Sequence, residues 1–181
     1  MLRINGKVHM GLAEDILHMT VRIETQLLDG ATSTGTGFYF NFCVQDDTCI
    51  PVIVTNKHVI ENANSMTIFL SVLNDDGTIA ERKERLEING MLGRWVMHPD
   101  PDVDLCVLPI AQIVDGFAES GRPLAITPFD VSLVADAEKM SALSAIEDIT
   151  MVGYPNGLWD EANNLPIVRK GITATPVGSD Y

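Results

Sequence analysis

Hydrophobic and polar positions alternate through much of the chain. Thr20 to Leu28 (TVRIETQLL) is β-branched and alternating, and Asp29-Gly30 after it supplies a tight turn. The next run, GTGFYFNFCV, sets Phe38, Phe40 and Phe42 on one face and Tyr39, Asn41 and Cys43 on the other, the period of a half-buried strand. PVIVT at Pro51–Thr55 and MTIFLSVL at Met66–Leu73 follow. Then come the turn Asn74–Gly77, a return strand and a second turn at Asn89-Gly90. A meander of about six short strands by residue 111 predicts a closed antiparallel barrel.

A second part begins near Arg122-Pro123. Val131 to Ile146 has Leu133, Val134, Ala137 and Met140 at helical spacing and reads as a surface helix or connecting loop. Strand patterns return at Ile149–Val152 and Pro166–Thr175, separated by the loop GYPNGLWDEANN. These strands are too few to close a barrel. The fold class is therefore all-β, with an N-terminal β-barrel over 14–116 and the first, incomplete part of a second antiparallel barrel over 121–181.

The length of 181 residues suits one domain or a pair of small barrels. Twelve Lys and Arg against 25 Asp and Glu leave a net charge of -13, and Lys57, Arg94, Arg122 and Arg169 are scattered, which argues against nucleic acid as a partner. Apolar runs such as Leu105–Ala111 fall well short of the ~20 residues that span a bilayer, so no membrane partner is expected. His9, Glu14 and Asp15 stand where a signal peptide needs an apolar stretch, and a cytoplasmic location is the default. Cys43 and Cys49 bracket VQDDT and could face each other across a hairpin; a reducing cytosol favours two free thiols. Cys106, within DLCVLPI, reads as core.

One pair carries chemistry. His58 follows the strand pattern of PVIVTNKHVI, where a strand turns into a short helix, and Asp104 opens a later apolar strand in HPDPDVDLCVLPI. A carboxylate beside an imidazole fixes its tautomer and stabilises the imidazolium formed when the ring takes a proton from a nucleophile. At this point the sequence resembles the trypsin-like, chymotrypsin-fold serine peptidases, above all the bacterial HtrA-type branch. The segments Gly35-Thr36-Gly37-Phe38, Thr55-Asn56-Lys57-His58-Val59 and Asp102-Val103-Asp104-Leu105 resemble the family's G-[ST]-G-F, T-[AN]-x-H-V and D-x-D-[LI]-[AC]. Gly153-Tyr154-Pro155 with Gly171-Ile172 resembles the second-barrel strand pair. The resemblance implies His58 as general base, Asp104 as the acid that orients it, a protein or peptide substrate and no cofactor.

The family's nucleophile loop, G-x-S-G-[GS]-P, has no counterpart here. None of Ser33, Ser65, Ser71, Ser120, Ser132, Ser141, Ser144 and Ser179 has the flanking glycines such a loop needs, and Ser179 follows Gly171-Ile172 too closely. The expectation is a peptidase domain whose nucleophile lies outside this chain, silent by itself. The alternative is a non-catalytic, peptidase-like binding module. An incomplete second barrel would leave an unpaired edge near Gly171–Pro176 that invites self-association.

His98, Asp100, Asp102 and Asp104 form a His- and Asp-rich run, but Leu105 and Ala111 stand where a calcium loop needs glycine and a bidentate acid, so no metal is assigned. His9 and His18 lack partner motifs and read as surface or cap residues. Cys106 is weighed as a nucleophile and read instead as packing.

Overall fold

A computed structural model describes residues 12–45, 48–91 and 93–177. His9 and Ser179 lie outside them. After a short helix, α1 (Leu12–Leu17), the chain runs through β1 (Thr20–Leu27), β2 (Thr32–Gln45) and β3 (Thr48–Thr55). Helix α2 (Lys57–Ile60) leads to β4 (Ala63–Leu70), β5 (Glu84–Asn89), β6 (Val96–Met97) and β7 (Cys106–Pro109). Helix α3 (Ala111–Glu119), helix α4 (Ala137–Ser141) and strands β8 (Asp148–Gly153) and β9 (Ile167–Ile172) complete it. The fold is all-β in class, with antiparallel ladders throughout both sheets.

The first seven strands make one sheet in the order β5-β4-β1-β2-β3-β7-β6. Its outer strands β5 and β6 form no ladder with each other among the described residues. Yet Ile88 of β5, Trp95 beside β6 and Leu108 of β7 join Val21, Ile23, Ile53, Met66 and Ile68 in a single buried cluster. Both ends of the sheet thus wrap the same core, and the barrel expected from the meander is held by packing rather than by a last row of hydrogen bonds. The predicted turns are present, with Gly30, Gly77 and Gly90 all at positive φ.

Strand β2 shows what alternation alone leaves open. Its core-facing side is Gly37 and Tyr39, and Tyr39 is buried while Phe42 is largely exposed. The phenylalanine face is covered by a crossing segment: Phe129 meets the Phe38 ring edge-on at 5.8 Å, and its backbone exchanges hydrogen bonds with Tyr39 and Asn41. At the far end of the β2–β3 hairpin, Cys43 and Cys49 are register partners and are joined as a disulfide. This corrects the expectation of free thiols: antiparallel register brings the two Cα atoms to 4.0 Å, a constraint the compartment argument did not weigh.

Of the two readings open for 131–146, surface helix or connecting loop, the structure holds some of each. The run 131–146 is no single helix, because Asp130 and Asp136 each accept a backbone N–H two or three residues on, splitting it into a 3-10 turn at Val131–Leu133 and α4. Its apolar residues Val131, Leu133 and Val134 are exposed. By contrast α3 was not foreseen. Ile113, Val114 and Phe117 pack its inner face on the core, but Ile110 at its N-cap offers no capping side chain to mark the start.

The second sheet pairs β8 with β9. The connection between them docks back on the first sheet: Tyr154 is buried, and Asn164 donates from Nδ2 to the Phe69 carbonyl at 3.3 Å and to Ser71 Oγ at 3.0 Å. Arg22, ion-paired with Glu24, lies over the adjoining rings of Phe69 and Trp159, at 5.1 and 4.6 Å from their centroids. Burial pushes the Tyr154 hydroxyl up to about 12, so it stays neutral.

Candidate active site

The two residues singled out by the sequence meet because of strand pairing. In the β3–β7 ladder Thr55 lies opposite Cys106. Since the strands are antiparallel, the residues leaving β3 run beside the residues entering β7, which sets α2 and His58 against Asp104. A spacing of 46 residues in sequence thus becomes direct contact.

The contact is two-pronged. Asp104 Oδ2 lies 2.6 Å from His58 Nδ1, and Oδ1 accepts the His58 backbone N–H at 3.1 Å. The imidazole and carboxylate side chains are 67% and 48% exposed, so the pair stands at the surface rather than within the core. Among the described residues Nε2 of His58 has no hydrogen-bond partner. A carboxylate on Nδ1 selects the tautomer that leaves Nε2 as the acceptor, the state a general base requires.

The hydrogen bond from the His58 ring, with a smaller contribution from the His58 backbone N–H, holds the Asp104 carboxyl below its ordinary value of 3.8. A carboxyl whose folded pKa is depressed stabilises the fold above its unfolded pKa and loses that contribution as pH falls through the lower, folded value. Asp104→Asn is therefore expected to melt below the native protein at neutral pH. The gap in Tm should close on acidification past the ordinary carboxylate pKa; a gap that is constant with pH would contradict the pairing.

Glycines explain how α2 reaches this position. A Cβ at Gly35 would collide with the methyls of Val59, and one at Gly37 would come within 2.7 Å of Ile53 and 3.0 Å of Ile23. Both glycines let β2 pass close beneath α2 and the core, while Thr36 between them faces the other way. There Thr36 Oγ1 accepts the Tyr154 N–H at 2.9 Å, and a Cβ at Gly153 would sit 2.8 Å from it. The carbonyl of Thr36 accepts the Thr55 hydroxyl at 2.9 Å. The G-T-G stretch therefore seats the His58 helix on one face and the second sheet on the other.

The remaining candidates take structural places. Cys106 is buried, its thiol directed to the Thr55 carbonyl at 3.6 Å, and burial pushes that thiol up to about 11, which keeps it protonated and inert at neutral pH. Within the His- and Asp-rich run, His98 Nδ1 accepts the Asp100 N–H at 3.2 Å, and Asp100 Oδ1 accepts the Asp102 N–H at 3.0 Å, so these side chains brace the loop leading to Asp104. His18 lies at the end of α1, and burial lowers its pKa.

The family model of the trypsin-like peptidase domain matches residues 35–178, a span that contains His58, Asp104 and both glycine motifs. The chain belongs to the trypsin-like peptidases. No curated protein matches this trypsin-like peptidase domain significantly. Among solved structures it is similar to the crystal structure of Deg5, at 22% identity and a TM-score of 0.48. That match covers 88% of this chain and 59% of the Deg5 chain, so the domain spans 59% of the length of that structure.

Sequence reasoning found the pair but missed its support. Asn56 entered only as a letter of a motif, and Lys57 besides that only as one of the scattered cations. Asn56 Nδ2 donates to the Asp104 carbonyl at 2.8 Å, and Lys57 Nζ to the Asp100 carbonyl at 2.9 Å. The only signal was their place directly before His58.

Proposed function

We propose that this trypsin-like domain supplies the base and its orienter for a serine endopeptidase. His58 takes the proton of the attacking hydroxyl at Nε2. Asp104 holds the ring and stabilises the imidazolium, and a serine outside these residues attacks the scissile carbonyl. The observation that carries the reading is the double contact of one carboxylate with the ring and the backbone of His58. It gives the imidazole one orientation and one tautomer without occupying Nε2.

The acyl-transfer steps follow from that arrangement. The serine oxygen bonds to the carbonyl carbon as its proton passes to Nε2; the same proton then goes to the leaving amine, and water repeats the sequence on the acyl-enzyme. The division into an N-terminal unit over 14–116 and a second over 121–181 belongs to the same proposal. So does self-association through the second sheet, where Ile149, Met151, Val168 and Ile172 are exposed.

The test is the coding sequence read in frame beyond the Tyr181 codon. The reading expects a G-x-S-G loop within some tens of codons. A stop codon at once would favour the non-catalytic binding module instead.

A further inference from the structure

We propose that Asn56 is a positioning residue for the His58–Asp104 pair, locking the backbone of Asp104 so that its carboxylate can hold His58 in two places. The inference rests on the reading of that pair as base and orienter and adds to it a residue whose side chain bonds to the main chain of Asp104.

Asn56 is the N-cap of α2, with extended backbone (φ -80, ψ 147). An Asn there ordinarily accepts the N–H of the second or third helical residue through its own side chain. Here it makes no such bond. The N–H of His58, the second residue of α2, is taken by Asp104 Oδ1 at 3.1 Å. The Asn56 side chain is released for another partner and donates across to the Asp104 carbonyl at 2.8 Å.

The two residues have exchanged roles. Asp104 caps the helix in place of Asn56, and Asn56 holds the main chain of Asp104. The result is a closed ring of contacts: Asn56 side chain to Asp104 backbone, Asp104 side chain to His58 backbone and ring, and His58 back along the chain to Asn56. Lys57 adds a parallel tie to the Asp100 carbonyl at 2.9 Å. Consecutive residues thus grip the loop that presents Asp104. Without Asn56, the carbonyl of Asp104 loses its donor and the carboxylate swings about a freer main chain.

The role separates from ordinary capping by one comparison. Asp and Asn cap helices about equally well and alanine poorly, so a capping role ranks Asn56→Asp with the native protein and Asn56→Ala below it. The clamp ranks them the other way. Asp has the shape of Asn but brings an ionised acceptor to a carbonyl and to a second carboxylate, so Asn56→Asp is the worse variant.

The readout is solvent exchange of the His58 Nδ1 proton, measured by NMR on 15N-histidine-labelled protein at neutral pH, with amide dispersion checking that each variant folds. Asn56→Ala is expected to speed exchange about fivefold, the worth of one hydrogen bond, and Asn56→Asp by tenfold or more. If the Asp variant does not fold, Asn56→Ser, which caps but is too short to reach Asp104, is expected to fall with alanine. Exchange within twofold of native in the alanine variant, or an aspartate or serine variant matching native, overturns the positioning role while leaving the base and orienter intact. A native Nδ1 proton that exchanges as freely as that of an exposed imidazole overturns the pairing beneath it.

Discussion

Valine in place of Gly35 is expected to lower the stability of the domain by about 3 kcal/mol, the upper end of the usual cost of overpacking, and to displace His58. The first added atom already falls on the methyls of Val59, which is buried and immediately follows His58 in α2. Val59 cannot retreat inward, because it is itself part of the close-packed buried core that includes Ile23, Ile53 and Ile60. The strain must therefore be relieved by lifting α2, which pulls the imidazole off Asp104. Thermal unfolding should show Tm lowered by about 6–12 °C for a chain of this size. Gly116→Ala is the control: it lies in α3 with open space where a Cβ would go, and it should leave Tm unchanged or slightly raised. Equal loss at both positions would mean that Gly35 matters for backbone freedom and not for the seat of α2.

Much of this site is legible in the sequence. The alternation of TVRIETQLL predicts β1 and the short unbroken run PVIVT predicts β3, a strand buried on both faces, while the turn glycines appear where a tight reversal needs positive φ. His58 and Asp104 were identifiable as a pair of residue types in a familiar order. Their contact was not, since it depends on Thr55 lying opposite Cys106, a long-range register that no local pattern encodes. The same register decides the cysteines: Cys43 and Cys49 bond because they are cross-strand partners. Helix α3 leaves no start signal because Ile110 carries no cap, while the helical spacing over 131–146 could not tell helix from loop, since Asp130 and Asp136 act as internal caps that break it into short pieces. Asn56 was invisible for a different reason. Its bond goes to a main-chain carbonyl, and main-chain partners leave no trace in the identity of the residue opposite.

The second large effect is on turnover. Under the proposed function, in a gene product that carries the proposed serine nucleophile, His58→Ala is expected to lower kcat by about a million-fold, since a base removed from a triad costs about as much as the loss of the whole triad. Asp104→Asn should cost about ten-thousand-fold, because the amide can donate to Nδ1 and so favours the tautomer whose Nε2 carries the proton and cannot accept another. The order matters: the base outranks its orienter, and both leave substrate binding nearly unchanged, so the loss appears in kcat with KM little altered. Neither change should unfold the domain, because both side chains stand at the surface, at 67% and 48% exposure. The most direct measurement is therefore hydrolysis of a fluorogenic peptide by that gene product, native against His58→Ala and Asp104→Asn, at matched folded concentration. Losses of about a million-fold and ten-thousand-fold in kcat are the predicted result; hydrolysis by His58→Ala within tenfold of native would contradict the account.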